Sequence, residues 1–465
     1  MDSINPATEE VVETYDDHTA DDVDSILDES ADAMDDWAET PITDRQQLLE
    51  RAAEILRDRE DEYAELITRE MGKPISESRA EVEKCAWVCE YYAERAGEFL
   101  ADRVIGSEPH ARTFVSYEPL GAVLAVMPWN FPFWQVFRFA APHLTAGNVG
   151  LLKHASNVPG CALAIEDVFR EAGYPEGVFS TLLVGSEKME DVIRDDRLDA
   201  VTLTGSEGAG RTVAEQAGSE LKKHVLELGG SDPFVVLDDA NLEAAAKTGV
   251  AARTINSGQS CIAAKRFVVV DEVFEDFLDR FVREMEALEV GDPTDSDTEV
   301  GPQARSDLVE DLHEQVEASV DAGADLACGG EPMDREGWYY PPTVLAEPPA
   351  NSPAATEEVF GPVAAVFRAE DEADAIEMAN DIHYGLGASI WTDDLERGEG
   401  LAREIDAGCV FVNELVKSDP RVPFGGVKAS GYGRELGKEG IHEFVNRKTV
   451  WVQSPGDEDD VVPTE

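Results

Sequence analysis

The stretch Val123-Leu124-Ala125-Val126-Met127-Pro128-Trp129-Asn130-Phe131-Pro132 decides how the chain is read. Its first five residues form a short, unbroken apolar run, the pattern of a strand buried on both faces of a sheet. The next five hold two prolines and two aromatics, which stop the strand and stiffen the turn after it. Further apolar runs follow at Gly150-Leu151-Leu152, Val178 to Val184 and Ala200 to Thr204, with a helical stretch from about Pro159 to Ala172. Short apolar runs alternating with helices predict a parallel sheet covered on both faces. The alternation returns downstream. Phe234 to Leu237 and Phe267 to Val270 read as strands, Leu242 to about Asn256 and Phe274 to Leu288 as helices. Upstream, Leu48, Leu49, Ala52, Ile55 and Leu56 recur at helical spacing. The stripe continues through Leu66, Ile67 and Met71, and Gly72 and Pro74 end it. A second helix is expected from about Ile75 to Leu100.

The chain has 465 residues, and single cores rarely exceed about 250–300, so at least two domains are expected. Acidic residues number 98 against 38 basic ones, a net charge of −60. That balance excludes nucleic acid and anionic membranes as partners, since both are held by Lys and Arg. Hydrophobic residues make up 43 %, which excludes wholesale disorder. No apolar run approaches the ~18 residues of a membrane span. The start, Met1 to Pro6, lacks the basic and apolar regions of a secretory signal, so a cytoplasmic location is expected. Six cysteines are too few for a disulfide scaffold. Cys85 and Cys89 share a helix face without further ligands, so no metal site is expected. The acidic tail after Pro455 is expected to be mobile.

Five local patterns have chemical meaning. Asn256-Ser257-Gly258-Gln259-Ser260-Cys261 sets a thiol in a loop that a ligand can approach closely, although composition alone favours a buried, inert cysteine. Glu227, between apolar residues and Gly229-Gly230, is either a desolvated base or a structural carboxylate. Asn130, held between prolines, can donate to a developing oxyanion or simply satisfy a turn. Thr204-Gly205-Ser206-Glu207-Gly208-Ala209-Gly210 spans a strand-to-helix junction, where backbone N–H groups suit a pyrophosphate or make an ordinary turn. Its glycine order differs from the usual dinucleotide fingerprint. Lys153 ends a strand, where it meets a ribose or phosphate, or solvent.

Pro128 to Pro132, Leu226 to Gly230, Gly258 to Cys261, Glu358-Val359-Phe360-Gly361-Pro362 and Pro423-Phe424-Gly425-Gly426 together resemble the aldehyde dehydrogenase superfamily, in identity and in order. The resemblance runs from Asn5-Pro6-Ala7-Thr8 to Gly431-Tyr432-Gly433-Arg434-Glu435. It implies an α/β fold of two Rossmann-like domains with a small β oligomerisation arm. The dinucleotide domain would be 1–229, interrupted near 100–118 by part of the arm. The catalytic domain would be 230–425, and 426–465 a return segment with the rest of the arm and the acidic tail. A homodimer or homotetramer is implied.

The same resemblance makes Cys261 the nucleophile, Glu227 the general base and Asn130 the oxyanion donor. It assigns Lys153 and Ser156 to the adenosine ribose, and Gly205 and Ser206 to the pyrophosphate with Trp129 nearby. Glu358 would hold the nicotinamide ribose with Phe360 beside it, and Leu228 would lie next to the nicotinamide. The cofactor would be NAD or NADP, because Ser156 stands where many NAD-preferring members carry an acidic residue. The branch most resembled oxidises succinate semialdehyde. On that reading Arg138 and Ser418 bind the distal carboxylate, while a further arginine of some relatives falls at Ile255, which has no charge to offer. A general aldehyde dehydrogenase, an enzyme releasing acyl-CoA, and a non-catalytic relative are the rival expectations.

Acidic side chains spread over the whole chain repel one another at low ionic strength and are screened in concentrated salt. The expected outcome is loss of far-UV circular dichroism on dialysis to low salt and its recovery on adding potassium chloride. Unchanged ellipticity at low salt would mark an ordinary acidic protein.

Overall fold

The computed structural model describes residues 1–108 and 111–454. The acidic tail lies outside them. The strand that opens the reading, Ala122–Met127, is the centre of a six-stranded sheet. Across that sheet run Gly431–Tyr432, Lys223–Glu227, Ala200–Thr204, Ala122–Met127, Val149–His154 and Phe179–Thr181. All pairs are parallel except Gly431–Tyr432, which pairs antiparallel with the strand that ends in Glu227. The second sheet has seven strands, in the order Asp325–Cys328, Thr343–Ala346, Val363–Ala369, Ala264–Val270, Asp232–Val236, Gly387–Trp391 and Cys409–Val412. Only its first pair is antiparallel.

Alternation explains the second sheet's two cores. Phe234, Val236, Phe267 and Val269 face one layer with Phe277 and Phe281. Val235, Leu237, Val268 and Val270 face the other with Ile376 and Leu401. A third sheet joins Arg103–Glu108, Ala111–Pro119 and Val445–Gln453, and this is the expected β arm. Trp451, Val104 and Ile105 are exposed on it.

The expected strand at Val178 to Val184 shortens to Phe179–Thr181. The upstream helical stripe is two helices, Ile42–Asp58 and Glu60–Met71, divided at Arg59. A small hairpin, Asp2–Ile4 with Val11–Thr14, precedes them. Periodicity does not announce it, because Val11–Thr14 is exposed throughout.

The helices near the site are set by buried charges. Helix Trp134–Ala146 is buried along its whole length and carries no side-chain cap of its own. Its N-terminal N–H groups, at Phe133 and Trp134, donate to Glu81 Oε1 at 2.9 and 3.0 Å. Glu81 comes from helix Ile75–Phe99 and is itself paired with the fully buried Lys73. The Lys73 ammonium lies 3.8 Å from the centroid of the Phe131 ring. One ion pair therefore fixes both sides of Asn130.

Helix Pro159–Ala172 is treated likewise: Gly160 and Cys161 N–H donate to the buried Glu70 at 3.0 and 2.8 Å. Its dipole is thus already satisfied, which leaves the N-terminus of helix Glu207–Ser219 as the anion seat beside it.

Breaking a buried ion pair from one side leaves an uncompensated charge and costs about 3–5 kcal/mol. Lys73→Met is expected to lower unfolding stability by that amount in urea titration. Lys73→Met with Glu81→Gln should recover part of the loss, as Gln retains an acceptor for Phe133 and Trp134.

Candidate active site

Cys261 lies between the helical turn Ile255–Gly258 and strand Ala264–Val270. The approach to it is strained. Asn256 and Ser257 both hold φ of +54°, and Gly258 +79°. Non-glycine residues with positive φ are uncommon and persist only where surroundings hold them. Here Glu77 accepts from Asn256 N at 2.7 Å, Ser257 Oγ accepts from Gly301 N at 2.9 Å, and Arg253 donates to Gly258 O at 2.6 Å. A side chain at Gly258 would collide with the backbone of Gly361 and Pro362. Only glycine lets the Glu358–Pro362 segment lie directly on the cysteine loop.

Asn130 is held by the same loop. Its Nδ2 donates to Gln259 O at 3.0 Å, and its backbone O accepts from Asn256 Nδ2 at 2.7 Å. One Nδ2 hydrogen remains. The neighbouring His154 donates from Nε2 to Pro132 O at 2.9 Å and accepts at Nδ1 from Ala155 N at 2.9 Å. Burial brings it down to about 4, so it is neutral and packs the turn rather than meeting a ligand.

The Cys261 thiol is half-buried and free. Burial pushes it up to about 12, with Lys265 and Arg138 acting in the opposite direction. Lys265 reaches Cys261 O at 2.6 Å, Ser260 O at 2.9 Å and Glu358 Oε1 at 3.2 Å. It joins the Cys261 loop to the Glu358 loop, and sequence reading missed it because Lys265 and Arg266 together read as the polar start of a strand.

Glu227 is 2 % exposed, and neither carboxylate oxygen has a hydrogen-bond partner among the described residues. Burial, then the like charge of Glu435, drives its pKa well above the usual carboxylate range. Arg138 and Arg434 oppose the shift. The thiol of Cys409 stands within electrostatic reach of both Glu227 and Cys261. Glu227 therefore belongs to the same interior as the cysteine.

Arg138 has other partners than the expected substrate carboxylate. Its guanidinium forms an ion pair with the buried Glu435, donates to Thr204 Oγ1 at 3.3 Å, and lies 4.9 Å from the Phe424 ring centroid. Ser418 is buried and accepts from Trp134 Nε1 and from Lys84 Nζ, each at 3.0 Å.

The remaining predicted residues gather on the other side. Ser206 caps helix Glu207–Ser219 through Ala209 N, with Gly205 immediately before it. Leu228 is buried over Gly210. Lys153 is half-buried at the end of its strand, and Ser156 is exposed just beyond. Burial lowers the Lys153 ammonium, and Glu187 acts against that. Glu358 Oε1 accepts from Gly230 N at 3.1 Å. Trp129 and Phe360 meet edge-on, with centroids 5.9 Å apart.

These residues fit a nicotinamide dinucleotide: a helix N-terminus with first-turn N–H groups beyond the one Ser206 caps for the pyrophosphate, a lysine and a hydroxyl at the adjacent strand end, and a carboxylate by the cysteine loop. Among the described residues no group of three or more His, Cys, Asp or Glu is arranged for a metal, and no helix is long and apolar enough to cross a membrane.

Two open α/β sheets, with a helix N-terminus and a lysine at the strand ends of one and a strained loop carrying a free thiol beside the other, suit a dinucleotide-dependent oxidoreductase. Residues 1–450 match the aldehyde dehydrogenase family, and the chain belongs to it. Its reaction class is NAD(P)-dependent oxidation of an aldehyde to the carboxylic acid.

A probable succinate-semialdehyde dehydrogenase [NADP(+)] of Synechocystis sp. is 54 % identical over 450 residues, covering 97 % of this chain and 99 % of that protein. Succinate-semialdehyde dehydrogenase [NADP(+)] 1 of Mycobacterium tuberculosis is 50 % identical over 456 residues, with the same coverage. The crystal structure of succinic semialdehyde dehydrogenase from Streptococcus pyogenes with NADP+ superposes at a TM-score of 0.95. Its identity is 37 %, over 97 % of this chain and 100 % of that one.

Because the resting thiol lies near 12, alkylation of Cys261 by iodoacetamide should rise about tenfold per pH unit between pH 7 and 9. Lys265→Met removes a neighbouring positive charge, raises the thiol further, and should slow labelling at every pH. Peptide mass mapping should find Cys85, Cys89 and Cys161, all buried, unlabelled in the folded protein.

Proposed function

We propose that the protein oxidises succinate semialdehyde to succinate, with NADP accepted at least as well as NAD. The observation that carries the chemistry is the buried carboxylate of Glu227, unpartnered among the described residues, in the same interior as the free thiol of Cys261. The high identity to named succinate-semialdehyde dehydrogenases supports the substrate.

In this reading Cys261 attacks the aldehyde carbon as the thiolate. The tetrahedral oxyanion is met by the free Asn130 amide hydrogen and the Cys261 backbone N–H. When bound, the nicotinamide supplies the acceptor for the hydride. The acyl group is left on Cys261 as a thioester. Glu227, desolvated and raised, takes a proton from water, which attacks the thioester and frees the acid. A hydrolytic base of this kind favours release of acid over release of acyl-CoA.

Lys153 and Ser156 would hold the adenosine ribose, Gly205 and Ser206 the pyrophosphate, with Trp129 nearby. Glu358 would hold the nicotinamide ribose with Phe360 beside it, and Leu228 would lie next to the nicotinamide. No carboxylate stands at 156 to repel a 2′-phosphate. The sheet formed around Ala122–Met127 would be the dinucleotide domain, with its boundary near 229, and the seven-stranded sheet the catalytic domain. The arm strands, with Trp451 uncovered, would join subunits into a dimer or tetramer. The net charge fits work in a salt-rich cytoplasm.

Cys261→Ala should abolish oxidation. Glu227→Gln should give one burst of reduced cofactor and then stall, read at 340 nm in a stopped flow. In the native protein, steady turnover should rise with pH through the raised carboxyl of Glu227, since only the ionised form takes the proton. Undiminished steady turnover in Glu227→Gln would remove that residue from the mechanism. Ser156→Glu should lower kcat/KM for NADP about tenfold or more while sparing NAD.

A further inference from the structure

Lys265 does more than tie two loops together. It is 2 % exposed, and its ammonium gives its three hydrogens to fixed acceptors: Ser260 O at 2.9 Å, Cys261 O at 2.6 Å and Glu358 Oε1 at 3.2 Å. None is left over for a ligand. Any effect of Lys265 on the chemistry therefore passes through the groups it already touches.

The Ser260 carbonyl is the one that bears on the reaction, because Ser260 C=O and Cys261 N–H belong to a single peptide group. No peptide bond among the described residues is cis, so the oxygen and the hydrogen of this group point opposite ways. The oxygen side is filled: Ser260 O also accepts from Ala263 N at 3.1 Å. The hydrogen side is open, since Cys261 N–H meets no backbone acceptor among the described residues. A donor bound to the oxygen draws electron density along the conjugated O=C–N–H unit and sharpens its N–H, the way hydrogen bonds in series reinforce one another. A cation does so more strongly, as charge-assisted bonds are roughly twice as strong as neutral ones. Two carboxylates oppose that charge. Glu358 makes the longest of the three contacts, and burial raises Asp232 to about 7, so only part of its charge counts near neutrality.

We propose that Lys265 is a positioning residue of the oxyanion site: its ammonium polarises the Ser260–Cys261 peptide, so that the Cys261 N–H holds the developing oxyanion more tightly than an unassisted backbone N–H would. The inference rests on the thiohemiacetal and thioester reading above. It gives Lys265 two separate effects. Its charge favours the thiolate before attack, and its hydrogen bond favours the oxyanion after it. The first is exerted on sulfur and the second on oxygen, so a measurement made on the oxygen alone tells them apart.

The test uses the full-length protein carrying Glu227→Gln, in which the acyl group stays on Cys261. Succinate semialdehyde, with and without carbon-13 at the aldehyde carbon, is turned over once with NADP, and the infrared difference isolates the thioester carbonyl. That carbonyl lies in the oxyanion site, and its stretch falls as the donors to it strengthen. The sulfur is already acylated, so the proton affinity of the thiol does not enter. Lys265→Met in this background should move the stretch to higher wavenumber, and Lys265→Arg, which keeps the charge, should bring it most of the way back. Losing an oxyanion donor outright costs about 10²–10³-fold in kcat, and weakening one costs less. With native Glu227, Lys265→Met should therefore lower kcat about tenfold and leave the aldehyde KM little changed. An unmoved stretch in Lys265→Met overturns the proposal and leaves Lys265 as a tie between loops. Lys265→Gln keeps an amide donor and loses only the charge. It decides the matter if the methionine variant does not fold: a raised stretch supports the proposal, and one equal to that with Lys265 overturns it. If Glu227→Gln with Lys265 intact gives no burst of reduced cofactor, the thioester reading itself fails, and the Lys265 assignment falls with it.

Discussion

The buried pair of Lys73 and Glu81 is the constraint on which the site's geometry depends. Glu81 spends one oxygen on two helix N–H groups and the other on Lys73, so both oxygens are met without water. Lys73 in turn presses its ammonium against Phe131. A buried charge without such partners would be very costly, so the two residues and the turn between Met127 and Trp134 can occupy essentially one arrangement. Asn130 inherits that rigidity. The cysteine loop, strained at Asn256 and Ser257, is then held against Asn130 by two amide hydrogen bonds.

Most of the fold and the motif loops were legible in the sequence because they depend on residues with backbone meaning. Proline and glycine around Asn130, Gly258 and Gly229 mark turns and close approaches, and unbroken apolar runs mark strands buried on both faces. The hairpin at the start and the shortened strand at Phe179 were not legible, since their residues carry little burial contrast or period. The supporting charges were hidden for another reason. Glu81 and Lys84 lie three apart on one helix, a spacing equally common on a solvated face. Nothing nearby in sequence says that the Asn130 turn covers one and that Ser418 meets the other. Arg138 illustrates the same limit: its partner, Glu435, arrives from the far end of the chain.

Charge is distributed unevenly between surface and interior. The chain carries a large acidic excess, yet Lys73, Arg138, Arg253, Lys265 and Arg266 are all buried. Each is met by carbonyl oxygens or by a carboxylate. Arg266, for example, donates to Ser231 O, Met378 O and Ala379 O. The scarce basic residues thus tie loops together around the thiol, where a low local dielectric makes each contact stronger. Apart from a few buried carboxylates, Glu70, Glu81, Glu227, Asp232 and Glu435, the acidic residues are left to meet water and salt.

The strand Gly431–Tyr432 closes the edge of the six-stranded sheet against Glu227, and Arg434 and Glu435 follow at once. Burial and the like charge of Glu435 together raise Glu227. The proton affinity of Glu227 is therefore completed by a contact between residues far apart in the chain. A folding intermediate in which the Gly431–Glu435 segment is still undocked would hold the thiol loop beside a carboxylate that lacks Glu435 as its neighbour.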